Sequence, residues 1–481
     1  MLSLAGGLMG LVLASVGLQV GVSFLPETLP RISSIGVDWK VAAFAIVLAV
    51  VTGFLCGLVP ALSASRTAVN DALKEGGRTG TAGGGQARLR SALVVVEIAV
   101  ALVLLVGSGL LLRSFEKMRS VPLGFRTDHL LTAAYGLPWK QYSTQASVDR
   151  FDGTLLRKLE QLPGVESVGV TQALPTAGAD GVSFFVPEGY VPPQGSEMNV
   201  SWGSHQVMGH YFHAAGIPLL RGRDFTEADD AEAPLVVVVN RSLAQYYWPG
   251  QDPIGKRLRW GIPASPTPWM TVVGEVGDIK QTAADAETQA QIYQPASQNV
   301  ASYGPLARPE MMNGNFGSIV LRAMLPPEQM TDALRASVRS IDPQLPLIHM
   351  ESMEQVVAEG QASRRFNAIL ISCFAGAAGL LALLGIYSVI AFSAALRTQE
   401  MAIRLVLSSG ARLGLAGCGI GTAVAVLATR LLRSLLFQVD PLDPFVLGLA
   451  ALSIFVLALA GSLIPARRAA AIEPIQALRA E

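Results

Sequence analysis

Residues 91–112 read SALVVVEIAVALVLLVGSGLLL, an apolar run that contains one charge, Glu97. At a rise of 1.5 Å per residue, a helix of this length extends roughly 33 Å, which is enough to cross the hydrocarbon core of a bilayer. The run therefore predicts a membrane-spanning helix, and the rest of the chain is interpreted from it.

Glu97 leaves two interpretations open. A carboxylate within the hydrocarbon core is costly and usually marks a functional position, here conformational coupling. However, Glu97 lies only about 9 Å along the helix from Ser91, so it can also reach the interface or the basic residues Arg88 and Arg90.

The composition predicts that the chain is an integral membrane protein. Apolar residues make up 51% of the sequence and charged residues 15%, whereas soluble domains carry about 25% charged residues. The net charge is zero, so nothing indicates a nucleic-acid partner. The first apolar run is not interpreted as a signal peptide, because no Lys or Arg precedes Arg31. Six runs are long enough to span a bilayer, at approximately 2–22, 39–62, 91–112, 367–396, 413–432 and 444–466.

About 250 residues of mixed polarity separate the third and fourth runs, enough for one or two compact subdomains. Helical spacing of apolar residues predicts helices at 148–162 and 327–340. Strand patterns occur at 165–170, 234–240, 270–279 and 319–321. Helices and strands without strict alternation predict an inserted α+β domain, with residues 113–130 and 345–365 as stalks.

Positive charge in the short loops predicts the topology. The predicted loops and tail on one side of the membrane carry eleven basic residues, and the loops on the other side carry four. This bias predicts that both termini lie in the cytoplasm and the large domain outside. The eleven are Arg66, Lys74, Arg78, Arg88, Arg90, Arg397, Arg404, Arg412, Arg467, Arg468 and Arg479, and the four are Arg31, Lys40, Arg430 and Arg433.

The chain contains an internal repeat. The segment 2–10 (LSLAGGLMG) is similar to 413–421 (LGLAGCGIG), and 60–64 is similar to 465–469. In both copies an Ala-Leu pair follows, at 72–73 and at 477–478. Runs one and two therefore repeat as runs five and six. The second copy has a preceding helix and an extramembrane domain, and the first copy has neither.

The repeat contains glycines at matching positions. Gly6 and Gly10 in the first copy, like Gly417 and Gly421 in the second, lie four residues apart. This spacing puts both glycines on one helix face and lets another helix approach closely. We therefore predict a helix-packing face in each copy, although glycine is also common in membrane helices generally.

No motif predicts catalysis, a cofactor or a metal site. The segment 250–256 fits the first seven positions of a phosphate loop, but Arg257 follows where Ser or Thr must hold magnesium. His205, His210 and His213 cluster without a metal-ligand spacing. The three cysteines, Cys56, Cys373 and Cys418, lie in apolar runs and are interpreted as small buried hydrophobic residues.

Several segments resemble a known family. Residues 211–225 (ending in GIPLLRGRDF), 236–240 (VVVVN), 248–256 (WPGQDPIGK) and 272–278 (VVGEVGD) resemble the periplasmic core domain of MacB-type permeases. The following membrane part, with Arg397, Glu400, Ile403 and Arg404, resembles the FtsX-like permease domain. The layout is similar to that of tandem permeases of acidobacterial type. Relative to them, this chain is expected to lack most of the first half.

The resemblance implies a domain organisation. Residues 1–80 would be a two-helix remnant of a first FtsX-like repeat, and 90–112 the helix that opens the second repeat. Residues 113–365 would be the periplasmic core domain with its stalks, and 366–481 the permease domain with three membrane helices. The stretch Ser408–Ala411 is shorter than in the family, where another turn or two of helix is usual.

The resemblance also implies a function. The chain would be a non-enzymatic permease subunit of the bacterial inner membrane that couples ATP hydrolysis by a separate ABC ATPase to movement of the periplasmic domain, for efflux or export. The alternative is a signalling protein that regulates a periplasmic partner. A homodimer, or pairing with another permease, is open. In the resembled permeases the segment corresponding to 397–412 touches the ATPase, so Arg397, Glu400 and Arg404 are the docking candidates.

Overall fold

The computed structural model describes residues 2–22, 36, 38–65, 84–177, 182–191, 199–202, 204–307, 316–396, 402–433 and 436–470. They fall into two compact units. The first unit comprises the described parts of 1–117 and 362–481, and the second comprises those of 118–361.

The first unit is built from long apolar helices. The four that follow the first two are joined by a shared core, in which buried aliphatic side chains such as Ile98, Leu102 and Ile454 meet between helices. The helices are α1 (Leu2–Val22), α2 (Trp39–Ser65), α3 (Gly84–Arg119), α10 (Ala362–Leu396), α11 (Ala402–Leu432) and α12 (Pro444–Ala470).

Four of these helices contain stretches long and apolar enough to cross a membrane, judged over the described residues. The stretches are Ser91–Arg119, Ala362–Val389, Arg412–Arg430 and Pro444–Ser462. In α1 and α2 the corresponding apolar stretches, Ser3–Gln19 and Trp39–Phe54, are shorter. Four of the six predicted spans are thus supported, and the total of six stays a prediction.

Helix α11 begins at Ala402, ahead of the apolar stretch that starts at Arg412. The expectation that Ser408–Ala411 is shorter than in the family stays a prediction. Residues 402–411 (AIRLVLSSGA) continue the helix of the span, and they contain no proline that would interrupt the backbone hydrogen bonds.

The second unit is an α/β domain whose helices begin and end at recognisable signals. Thr144 caps the first long helix through its hydroxyl, which accepts a hydrogen bond from the backbone N–H of Ser147. The helices are α4 (Gln145–Glu160), α5 (Tyr211–Ala215), α6 (Arg241–Tyr247), α7 (Asn299–Tyr303), α8 (Pro327–Ile341) and α9 (Met353–Gly360). The strands are β1 (Leu130–Gly136), β2 (Val165–Thr171), β3 (Val182–Pro187), β4 (Asn199–Trp202), β5 (Ser204–Gly209), β6 (Leu219–Gly222), β7 (Val236–Asn240), β8 (Arg257–Trp260), β9 (Met270–Val276), β10 (Ile292–Pro295), β11 (Phe316–Ala323) and β12 (Leu347–Ser352).

The described strands join in one mixed sheet of twelve strands, in the order β12-β1-β11-β2-β5-β10-β7-β9-β8-β3-β4, with β6 added beside β9. The pairs β5–β10 and β7–β9 are parallel, and the other pairs are antiparallel. β7 is buried along its whole length, as its unbroken valine run predicts. Helices α4 and α8 cover the β1-β11-β2 part of the sheet, where Leu155 and Leu334 are fully buried.

The sequence placed the main elements of this domain correctly but not its edge. The predicted helices and the strands at 165–170, 234–240, 270–279 and 319–321 all correspond to observed elements. Part of the segment 345–365, expected to be a stalk, instead forms β12, which pairs with β1 at the end of the sheet. β12 was missed because its burial is only partial and its sequence does not alternate clearly.

Candidate functional site

Helix α3 packs against α11 at two glycines. Ile98 and Leu102 of α3 are 0% and 1% exposed. A Cβ atom built on Gly417 would lie 2.4 Å from Cγ2 of Ile98, and one built on Gly421 would lie 2.9 Å from Cδ2 of Leu102. Since neither distance leaves room for a side chain, the two glycines allow α3 and α11 to approach closely.

The equivalent glycines of α1 have different surroundings. A Cβ atom on Gly6 or Gly10 would meet no described atom within 4 Å. The glycine of α1 that faces α2 is Gly7, where a Cβ atom would lie 2.7 Å from that of Ala49. The structure therefore brings Gly417 and Gly421 together with α3, and leaves the packing role of Gly6 and Gly10 as a prediction.

The side chain of Glu97 extends from α3 to the surface of α10. A Cβ atom on Gly385 of α10 would be 2.2 Å from Oε2 of Glu97 and 3.4 Å from Cγ2 of Val94. The carboxylate therefore lies directly over the backbone of α10 at a position where the absence of a side chain makes room for it. This contact places Glu97 at a helix–helix boundary, and its role in coupling remains a hypothesis.

The end of α3 near the second unit is held by a charged contact. Nη1 of Arg113 lies 2.6 Å from Oδ2 of Asp443, whose side chain is only 14% exposed. The other oxygen of Asp443 accepts a hydrogen bond from the backbone N–H of Phe445 at 3.0 Å, so the same carboxylate caps the N-terminus of α12. The Arg113 guanidinium also lies 5.4 Å from the centre of the Phe445 ring.

Two further hydrogen bonds join α3 to the α11–α12 connection. The hydroxyl of Ser114 accepts from the backbone N–H of Phe437 at 2.8 Å, and the ammonium of Lys117 donates to the carbonyl of Gln438. Together with the Arg113–Asp443 ion pair, they form what we call the α3 clamp, which consists of Arg113, Ser114 and Lys117 on α3 and residues 437–443 on the connection.

Sequence reasoning missed the α3 clamp, although part of its signal was available. Asp443 directly precedes Pro444, and an acidic residue followed by proline is typical of a helix start. The sequence could not show that Arg113, more than 300 positions away, contacts this cap.

The predicted docking residues are only partly described. Arg397 and Glu400 lie outside the described residues. Arg404 belongs to α11, but its side chain is outside the description. Whether the three share one helix face therefore stays a prediction.

The second unit has an open cleft of about 590 Å³ beside the segment that mimics a phosphate loop. Trp248, Gly250 and Pro253 line it, together with Glu275, whose carboxylate lies 3.5 Å from Nε of Arg221. The segment leads into the strand β8 rather than into a helix, and Arg257 pairs with Glu188 across β8 and β3. A phosphate loop needs its backbone N–H groups at a helix start, so this geometry does not form one.

The three histidines lie on two neighbouring elements, His205 on β5 and His210 and His213 at α5. His205 is buried on β5 with its ring centre 5.3 Å from that of Tyr293, and burial lowers its pKa to about 4. Its neutral ring is therefore part of the core. The part of the chain that the structure describes contains no group of three or more His, Cys, Asp or Glu residues that could hold a metal ion.

The fold defines a class of protein: a multi-pass membrane protein with a large α/β domain inserted between the long helices α3 and α10. A model of the MacB-like periplasmic core domain matches residues 91–341. The chain therefore belongs to the family of proteins with this domain, the MacB/FtsX-like permeases, and it is a component of an ABC-type transporter.

Two solved structures are similar to part of this chain. The periplasmic region of MacB from Actinobacillus actinomycetemcomitans is 16% identical, with a TM-score of 0.31, and the match covers 51% of this chain and 95% of that one. The extracellular domain of the noncanonic ABC-type transporter YknZ from Gram-positive bacteria is 13% identical, with a TM-score of 0.29, covering 46% and 100%. No curated protein matches the sequence. Family membership rests on the match of the MacB-like periplasmic core domain model to residues 91–341.

Proposed function

We propose that the chain is the permease subunit of an ABC-type system in which a separate cytoplasmic ATPase drives movement of the periplasmic domain, for efflux or export of a substrate. The observation that carries this proposal is the α3 clamp. It ties the end of α3 to the α11–α12 connection.

The clamp suggests how force would travel. α3 is a continuous helix of 36 residues, roughly 54 Å long, and its last residues lead into the second unit. A displacement of α11 and α12 would be transmitted to α3 at Arg113, because an ion pair with one mostly buried partner resists separation more than an exposed one. α3 runs as a helix into the second unit, and α10 begins at Ala362, directly after that unit ends, which supports a mechanical role for these connections.

The ATPase would act on the segment 397–412. This segment contains the docking candidates Arg397, Glu400 and Arg404, and α11 continues from Ala402 into the span at Arg412. A helix that begins outside the membrane and continues through it can carry a push from a bound subunit. Charged residues on it would mainly set the specificity and rate of docking.

The orientation follows from the charge pattern of the short loops. We place both termini in the cytoplasm of a bacterium and the second unit in the periplasm. The side chain of Val191 is 85% exposed, so a cysteine there reports on the second unit. In intact cells with a permeable outer envelope, Val191→Cys should react with a membrane-impermeant maleimide. Reaction only after the inner membrane is broken would refute the orientation.

The function is tested by reconstituting the chain with its cognate ATPase in lipid vesicles. We expect ATP-dependent movement of a substrate across the membrane, together with an ATP-dependent change in the reactivity of Val191→Cys. Arg113→Gln should leave ATP hydrolysis in place and abolish both other signals, because the clamp lies between the ATPase and the domain. A reactivity change without substrate movement would favour the signalling alternative, and equal signals in Arg113→Gln would refute the role of the clamp.

Docking is tested separately by co-purification. Reversing the charges of Arg397 and Glu400 should weaken the complex with the ATPase. Exchanging the charges of Arg430 and Asp440, which lie beyond the membrane span from that segment and also leave the net charge unchanged, is the matched control and should not. An unchanged complex in the first variant would reduce the segment to a topological signal.

A further inference from the structure

The two copies of the internal repeat have the same local geometry. Ser3 and Gly414 occupy equivalent positions, and so do Gly53 and Ala458. A Cβ atom on Gly53 would lie 2.8 Å from that of Ser3, and a Cβ atom on Gly414 would lie 3.3 Å from that of Ala458. The α1–α2 pair therefore packs in the same register as the α11–α12 pair.

The copies also begin their second helix in the same way. Asp38 and Asp443 are equivalent, as are Val41 and Val446. Oδ1 of Asp38 accepts a hydrogen bond from the backbone N–H of Val41 at 2.8 Å, and Oδ1 of Asp443 accepts from that of Val446 at 3.4 Å. Each aspartate thus caps its helix through one oxygen.

In the second copy, α3 lies along both helices. Besides Ile98 at Gly417 and Leu102 at Gly421, it contacts α12 at Gly109, where a Cβ atom would lie 2.7 Å from Cγ1 of Val446. Four residues further along, Arg113 pairs with Asp443. The second pair therefore recognises α3 through two glycines, a valine and a carboxylate.

The first copy has the same four residue types at the equivalent positions, Gly6, Gly10, Val41 and Asp38. Among the described residues, no helix contacts these positions as α3 contacts the second copy. Gly6 and Gly10 have no described atom within 4 Å of a built Cβ. A groove of about 410 Å³ lies between α1 and α2, and both Gly10 and Val41 line it. None of the ion pairs formed by described residues includes Asp38.

We propose that the α1–α2 groove binds a partner helix, that is, a transmembrane helix that resembles α3 and lies outside the described residues. In chain order it would carry two bulky aliphatic residues four apart that pack on Gly6 and Gly10, a glycine that packs on Val41, and an arginine or lysine that faces Asp38. The spacing is that of Ile98, Leu102, Gly109 and Arg113 in α3.

Charge and spacing together favour this occupant. An acyl chain can fill an apolar groove, but it does not match two glycines, a valine and a carboxylate at fixed distances. A second copy of this chain does not supply the helix through its own α3, because Ile98 and Leu102 are already buried against α11. A cation facing Asp38 from the partner would reproduce the Arg113–Asp443 pair.

Disulfide trapping tests the proposal. A Cβ atom on Gly109 would lie 3.9 Å from Cβ of Val446, which suits a disulfide. The full chain, with Cys56, Cys373 and Cys418 replaced by alanine, would carry Val41→Cys. It would be co-expressed with a probe helix made of residues 84–119 bearing Gly109→Cys. We expect a disulfide-linked complex on oxidation, as with the intramolecular pair Val446→Cys and Gly109→Cys.

Matched variants separate recognition from chance collision. Gly10→Leu in the chain should reduce the cross-link to background, since Gly10 lines the groove and its added Cβ atom would have no described atom within 4 Å. Ala5→Leu is the control, because it adds the same side chain about 100° around the helix from Gly6 and should leave the cross-link intact. Asp38→Asn, or Arg113→Gln in the probe, should lower the yield.

Two results would overturn the proposal. One is the absence of the Val41 cross-link while the intramolecular control forms, or a yield that Gly10→Leu does not change. The other is efficient Val41–Val41 cross-linking without the probe, which would make a second copy of this chain the occupant.

Discussion

The α1–α2 pair and the α11–α12 pair share sequence, packing register and an aspartate cap, and they differ in what lies against them. The second pair holds α3 at Gly417, Gly421, Val446 and Asp443. In the first pair the equivalent glycines meet no described atom. A glycine spacing thus marks where a helix can approach, but the interface itself depends on whether a complementary helix is present.

The largest expected contrast is in the glycines themselves. Gly421→Leu should destabilise the chain by about 2–3 kcal/mol, because the new side chain collides with Leu102 and with the backbone at Ala99. Gly10→Leu, its equivalent in the first copy, should change the free energy of unfolding by less than about 0.5 kcal/mol. Denaturant unfolding of the full chain in mixed micelles measures both. Similar losses would show that the two pairs are packed alike after all.

The aspartates provide the next contrast. Asp443→Asn keeps the helix cap but removes the charge that faces Arg113, so we expect a loss of about 1 kcal/mol. Asp38→Asn should have little effect in the isolated chain. A double-mutant cycle with Arg113→Gln isolates the pair energy. A coupling energy of zero for Arg113 and Asp443 would contradict the α3 clamp.

The shared packing register can be tested by exchange. Gly53→Ala should cost on the order of 1 kcal/mol, because its Cβ atom would lie 2.8 Å from that of Ser3. Adding Ser3→Gly reproduces the Gly414–Ala458 arrangement of the second copy and should restore most of the loss. Thermal unfolding of the single and double variants measures both effects. If the double variant is no more stable than Gly53→Ala, the α1–α2 and α11–α12 pairs pack in different registers.

The smallest expected effect concerns Glu97, which has no equivalent in the first copy. Gly385→Ala would place a Cβ atom 2.2 Å from Oε2 of Glu97, but a flexible carboxylate can move aside. We therefore expect a loss below about 1 kcal/mol, removed when Glu97→Ala is present as well. The same cycle in the ATP-dependent assay shows whether the contact serves coupling. A loss that persists in the double variant would place its cause elsewhere on α10.

Periodicity was sufficient to locate most elements of the second unit. The helix at 148–162 and the strand at 234–240 have strong patterns, and both are present as α4 and β7. β12 was mistaken for a stalk because its half-buried residues have no clear alternation.

By itself, the sequence indicated the apolar runs, an inserted α+β domain and the repeat, because each depends on local composition and spacing. Its motifs indicated the family by resemblance. Only the tertiary structure decided which glycine pair is occupied, that Glu97 lies over Gly385, and that Arg113 pairs with Asp443. These contacts join residues hundreds of positions apart. Their distances depend on how helices pack against each other, and no periodicity within one helix encodes that arrangement.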